Sequence, residues 1–322
     1  QLLFFTTDGM VYKLKCWQLP LGSRTAKGKA VVNILPIQPG VSIAAIMPVD
    51  RPEADWDDLQ VVFATSKGTV RRNKLSDFTN VNRAGKIAMK FEDEQADNTL
   101  INARIASNDD DVMLVTNSGR AIRFPATDVR VFNSRASVGV RGIRLSGSDT
   151  VVSMSIISHF EAEASERAAY LKMRRAMAGL ADDAEVSDDE DDVAPGAISQ
   201  ERYAEMSAAE NLILTITSKG SGKLSSSHDY PVRGRGGMGV TAMDKAMRGG
   251  DLVSSFPVDL SDQIMLVTST GQSIRVPVDG ISFRSRGAGG VKVFDTAKGE
   301  EVVSVAWIAD QGDADGESVE EA

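Results

Sequence analysis

Cysteine, histidine and long apolar runs are nearly missing from this chain. Its 322 residues hold one cysteine, Cys16, so no disulfide framework can form, and this usage fits a reducing compartment. Two histidines, His159 and His228, with that lone cysteine cannot build a typical zinc site. Neither has a partner nearby in sequence, and both read as surface or packing residues. No apolar run reaches the roughly 18 residues of a membrane-spanning helix, and no basic-plus-apolar leader opens the chain. It starts at Gln1 inside the apolar run QLLFF, without a Met, which points to a piece of a longer polypeptide. Aromatics make up only 6%, whereas 28 glycines against 10 prolines suggest many turns.

Charge is unevenly spread. The formal net charge is −9, yet residues 161–210 carry 14 acidic and 5 basic groups, and residues 310–322 carry 6 acidic groups and no basic ones. The remainder holds 31 basic and 25 acidic residues, a net of +6. A mildly basic body thus bears two acidic appendages, and local fields rather than totals attract a polyanion.

Five similar hairpins recur: TTDGMVYKL, ATSKGTVRR, TNSGRAIRF, TSKGSGKLS and TSTGQSIRV, with turn glycines at 9, 68, 119, 220 and 271. The glycine separations are 59, 51, 101 and 51, and the odd value equals one repeat plus the 50-residue acidic stretch. Each repeat reads as four short strands. In the third they are Val112–Thr116, Arg120–Phe124, Val138–Leu145 and Val151–Ile157; in the fifth, Gln263–Val267, Gln272–Val276, Gly290–Phe294 and Val302–Ile308. Repeated four-stranded units predict an all-β, propeller-like pinwheel, because a lone small sheet cannot bury both faces. A β-sandwich with accidental similarity is the plain alternative. The expected organisation is a pinwheel over 1–309, with repeats near 1–50, 59–106, 111–158, 211–258 and 262–309. An acidic helical and disordered insertion spans 159–210, and a disordered tail spans 310–322.

Within the insertion, residues 161–179 are rich in helix formers, 182–196 read as a disordered linker, and 199–210 as a second helix with Ser199 as N-cap. A solvated hairpin without a role is the plain reading. An acidic segment that competes with a polyanion for the basic body, or a contact with another chain, is the functional one.

A second glycine follows each turn glycine by 17–20 residues, set among basic residues: SRTAKGKAV around Gly28, NRAGKIA around Gly85, NSRASVGVRG around Gly139, VRGRGGMGV around Gly239 and RSRGAGGVKV around Gly290. At equivalent positions of a radial fold these five loops would share one rim. Glycine lets a loop backbone approach phosphate oxygens, and Arg and Lys add charge and release counterions. The candidate DNA-contacting residues are Arg24, Lys27, Lys29, Arg71, Arg72, Arg83, Lys86, Arg135, Arg141, Arg233, Arg235, Arg284, Arg286 and Lys292. No base-reading helix accompanies them, so backbone positioning without sequence readout is expected.

Other motifs are weak. Gly234, Gly236 and Gly239 satisfy G-x-G-x-x-G, but the polar SSSHDYPVR precedes them where a dinucleotide site needs an apolar strand. Gly222 and Lys223 resemble the end of a P-loop, but Leu224 stands where Ser or Thr belongs. Asp313, Asp315 and Gly316 only hint at an EF-hand.

The blades with a Gly/Arg box before the third strand resemble the C-terminal domain of the DNA gyrase A subunit. VYKLKCWQLP, AVVNILP, GVRGIRL and DQIMLVTSTG carry the resemblance. It covers the chain from Gln1 to Ile308 apart from the insertion. It implies a six-bladed pinwheel that bends duplex DNA and directs ATP-driven negative supercoiling. The partners it implies are gyrase B and a second copy of gyrase A. It also implies a cytoplasmic, nucleoid-associated location. No cofactor is expected in this fragment, since ATP and magnesium belong elsewhere in the holoenzyme, as does the catalytic tyrosine. The family's signature box, near Q-R-R-G-G-K-G, and its hairpin are expected before Gln1; the nearest match here is Arg233–Gly239. The related domain of the topoisomerase IV A subunit is an alternative, and a protein-interaction propeller is a more distant one.

Overall fold

The computed structural model describes residues 1–22, 27–91, 97–134, 137–177, 179, 196–247 and 249–309. Arg24, Arg135, most of the expected linker (182–195) and the expected tail at 310–322 lie outside them. The described residues form an all-β, propeller-type assembly of antiparallel sheets, four of four strands and one of three.

In each repeat the first strand is the centre of its sheet. These central strands are Leu2–Thr6, Gln60–Thr65, Asp110–Thr116, Leu212–Thr217 and Gln263–Thr268. Each pairs on one side with the second strand of its hairpin and on the other with the last strand of its repeat. A threonine closes every central strand, at 6, 65, 116, 217 and 268, and the register with the last strand shifts there or beside it. The carbonyl of that threonine accepts from the turn-glycine N–H at 2.9–3.1 Å in all five repeats. The five turn glycines have φ of +75° to +88°, where a side chain would be strained. The recurring Thr-x-x-Gly is therefore a glycine turn, and the bulge opposite its threonine lies on the last strand of the repeat.

The third strands depart from expectation. They are two residues long, at Lys86–Ile87, Val140–Arg141, Val240–Thr241 and Val291–Lys292, and each pairs with the hairpin of the preceding repeat. Periodicity identifies a strand but not the edge it joins, and a connection of 11 to 14 residues is long enough to reach a neighbour. The fifth repeat keeps three strands, and among the described residues no strand covers the outer edge of Ser273–Pro277. The corresponding segment of the first repeat has no preceding hairpin in this sequence and contains a short 3-10 helix, Val31–Asn33, instead of a strand.

The chain divides into two compact units: residues 1–164 with 230–242, and 165–229 with 243–322. In the first, Phe5, Phe63 and Phe78 meet edge to face at centroid distances of 5.4–5.8 Å, in a core shared with Trp56 and Leu75. A second cluster there gathers Val62, Val70, Leu114, Phe124 and Met154. In the second unit Leu214, Ile216, Leu224, Ile264 and Leu266 form the core. Two helices, α1 (Ala164–Met177) and α2 (Gln200–Ala209), belong to the insertion, and the Ser199 hydroxyl caps α2 by accepting from the Arg202 N–H at 3.0 Å. They are not a solvated pair. Tyr170 and Met206 are fully buried, the Tyr170 ring meets His228 edge-on at 5.0 Å, and His228 Nε2 lies 2.8 Å from the Met206 carbonyl.

Candidate nucleic-acid interface

The basic loops are docked against hairpins. A Cβ on Gly139 would fall 2.5 Å from the Val70 carbonyl, and one on Gly239 would fall 2.2 Å from the Ala121 carbonyl. Gly290 would place a Cβ 2.8 Å from the backbone of Gly222, and Gly85 would strike the Tyr12 ring at 2.7 Å. These glycines therefore permit close approach of one repeat's loop to the preceding repeat's second strand. Gly28, with no such hairpin, has no described atom within 4 Å of the same point.

Basic residues divide into two groups. The first group, which includes Arg71, Arg72 and Arg123 on the hairpin strands, is buried and bonded. Arg71 is fully buried, with Nε donating to Asn73 at 2.8 Å and the guanidinium also donating to the Ser137 and Ala88 carbonyls. Arg72 is 5% exposed; it donates to Asn108 at 3.2 Å, and burial pushes its pKa down. Arg286, though in a loop, is also buried: its N–H donates to the Asp229 carboxylate at 2.6 Å and its Nε to the Asp229 carbonyl at 2.9 Å. The structure thus gives Arg71, Arg72 and Arg286 supporting positions rather than free surface. Arg123 belongs with them, in a buried ion pair with Asp111 at 2.7 Å. Asp111 also lies 2.8 Å from Nδ1 of the exposed His159.

The second group lies on the loops. Lys27, Lys29, Arg83, Arg141, Arg235 and Lys292 are exposed, and Lys86, Arg233 and Arg284 are half-buried. Arg235 is oriented by the Asp128 carbonyl at 3.0 Å and the Arg141 carbonyl at 3.1 Å. Lys86 donates to the Asp77 carbonyl, and Lys292 pairs with Asp295.

In the first unit these features converge. A groove of about 590 Å³ is lined by Lys67, Thr69, Gly139, Arg141, Arg144 and Asp149, among others. Lys67 reaches in from a hairpin turn and Arg141 and Arg144 from the next repeat's loop; Asp97 pairs with Lys67 at 2.6 Å. Three cations beside a glycine loop make a site suited to a phosphate oxygen. Sequence reading missed Lys67 and Arg144. Both had a signal: Lys67 directly precedes a turn glycine, and Arg144 lies three residues after Arg141 in GVRGIRL.

The family model described as DNA gyrase C-terminal domain, beta-propeller, matches residues 1–50, 60–103, 110–158, 211–258 and 262–306. The A subunit of DNA gyrase from Granulibacter bethesdensis is 44% identical over 316 residues, covering 94% of this chain and 33% of that protein. The A subunit of DNA gyrase from Rickettsia bellii is 38% identical over 320 residues, covering 99% of this chain and 35% of that protein. The chain thus spans about a third of the length of these relatives. Among solved structures, the C-terminal domain of DNA topoisomerase IV aligns with a TM-score of 0.70 at 18% identity, covering 95% of this chain and 78% of that one. The DNA gyrase A C-terminal domain aligns with a TM-score of 0.67 at 20% identity, covering 96% and 82%. With five matched repeats over most of its length and gyrase A relatives at up to 44% identity, the chain belongs to the family of DNA gyrase A C-terminal domains.

Proposed function

We propose that this domain binds duplex DNA through its phosphate backbone and bends it, as part of a gyrase A polypeptide in complex with gyrase B and a second gyrase A. The observation that carries this reading is the groove formed by Lys67, Arg141 and Arg144 beside Gly139, together with exposed cations on the other loops. Phosphate contacts made by side chains on short loops position a duplex without reading its bases. The work of the domain is then geometric: a bend held on its surface sets the path of DNA into the breakage machinery, and hence the sign of supercoiling by the whole ATP-driven enzyme. The location that goes with this is the cytoplasm, at the nucleoid.

Two measurements test it. In filter binding, the chain should retain linear duplex with little sequence preference, at a log–log salt slope near −0.9 per phosphate contacted. Replacing Arg141 and Arg144 with Ala should weaken binding to all sequences alike and lower that slope by up to about one per lost contact. Retention that ignores salt would remove the electrostatic basis of the proposal. For bending, a duplex of about 40 base pairs labelled at both ends should show increased energy transfer on binding. An elastic cost on the order of 1–6 kcal/mol requires several grips rather than one. Binding without a change in end-to-end distance would leave a DNA clamp and no wrap.

A further inference from the structure

Lys223 is the most unusual buried group in the second unit. It lies on the fourth repeat's second strand, Ser221–Ser226, and is fully buried. Its ammonium donates to the Ser285 carbonyl at 2.9 Å, to the Ala288 carbonyl at 2.7 Å and to the Arg286 carbonyl. All three N–H bonds of the ammonium are thereby directed at one short stretch of the fifth repeat's basic loop. Beside it, the Arg284 N–H donates to the Leu224 carbonyl at 2.8 Å, so side chain and backbone of this strand grip the same loop.

A buried cation is an expensive way to fill a sheet, because desolvation costs several kcal/mol before any hydrogen bond is counted. The fold does not need one here. Three residues beyond the turn glycine, where the fourth repeat has Lys223, the third repeat has Ile122, buried among apolar neighbours. The second repeat has Arg71 there, and it too donates to a carbonyl of the following repeat's loop, that of Ser137. In the third repeat the same task falls to Arg120, two positions earlier, which donates to the Gly239 carbonyl at 2.6 Å. Three hairpins thus hold three loops by a cation directed at carbonyls.

We infer that Lys223 is a positioning residue for DNA binding: it touches no phosphate, and it fixes the Ser285–Ala288 backbone so that the fifth repeat's loop meets DNA in one conformation. The inference rests on the DNA-binding reading for its functional half, whereas its structural half concerns the free protein. Burial, assisted by Arg286 and Arg284 and opposed by Asp229, lowers the lysine's pKa to about 7.

The test compares Lys223→Met, which keeps the stem and loses the donors, with Lys223→Arg, which keeps charge and donors, in the whole chain. In the DNA-free protein, hydrogen exchange of peptides over 284–290 should speed up by about tenfold or more in Lys223→Met, while peptides over 232–240 stay unchanged. Lys223→Arg should restore most of the protection. Affinity for a duplex should fall about five- to tenfold in Lys223→Met, and adding Arg284→Ala should cost less there than in the wild-type background, because both act through one loop. Unchanged exchange over 284–290 overturns the inference, as does full additivity with Arg284→Ala, which marks an independent DNA contact. If Lys223→Met does not fold, Lys223→Gln carries the comparison; protection in it equal to that of Lys223→Arg also overturns the inference. Wild-type protein that does not bind DNA defeats the DNA reading alone, and the exchange result still decides whether Lys223 orders the loop.

Discussion

The loops around Gly239 and Gly28 share a sequence pattern and lead different lives. Gly239 sits at φ +69°, and a methyl group there would lie 2.2 Å from a backbone carbonyl of the preceding repeat. Gly28, at φ +66°, faces no described atom within 4 Å, and its neighbours Leu21, Val31 and Val32 are exposed. The motif around Gly239 completes a sheet; the one around Gly28 has no hairpin here to complete. The glycine-basic box is therefore a joint between repeats before it is a ligand loop. Its glycines serve the joint, and its exposed cations are what remains for a ligand.

Removing a cation from each group puts this contrast under the greatest strain. Arg123→Ala leaves Asp111 buried with its main partner gone, and should cost about 3–5 kcal/mol of stability in urea unfolding. Arg141→Ala should change stability by no more than about 0.5 kcal/mol, because it removes only surface charge. Similar losses for both would erase the division between supporting and exposed cations. The two glycines come next. Gly239→Ala adds a steric clash with backbone to left-handed strain and should cost about 2–3 kcal/mol. Gly28→Ala carries strain alone, at most about 1 kcal/mol; equal thermal shifts would show that docking contributes nothing at Gly239. The smallest effect is expected at Lys292, whose pair with Asp295 is solvent-exposed. Lys292→Ala should leave the melting temperature within error, since such pairs contribute about 0–1 kcal/mol, and should still weaken duplex retention at low salt.

The repeat count, the central and last strands, and both helices of the insertion were legible in the sequence, because each depends on local pattern. Glycines at a fixed spacing mark the hairpin turns; Ser199 before good helix formers marks α2. The third strands were legible as segments but not as partners. The hairpin cations were misread for a related reason. Arg71 and Arg72 are adjacent on a strand and point to opposite faces, so one would be exposed on a one-sided sheet. Here both faces are covered, and both are buried.

Hydrophobic alternation and turn chemistry act over a few residues, so the order of amino acids was enough to specify an array of short antiparallel sheets with a basic, glycine-bearing loop in every repeat. That each loop closes the preceding repeat's sheet came from the packing of the repeats. So did the division of labour in which Lys223, Arg71 and Arg120 serve backbone carbonyls while Arg141 and Arg144 carry exposed charge. Both outcomes depend on which edge and which face a neighbouring repeat covers, and burial of that kind is set by contacts between residues roughly 60 to 120 positions apart.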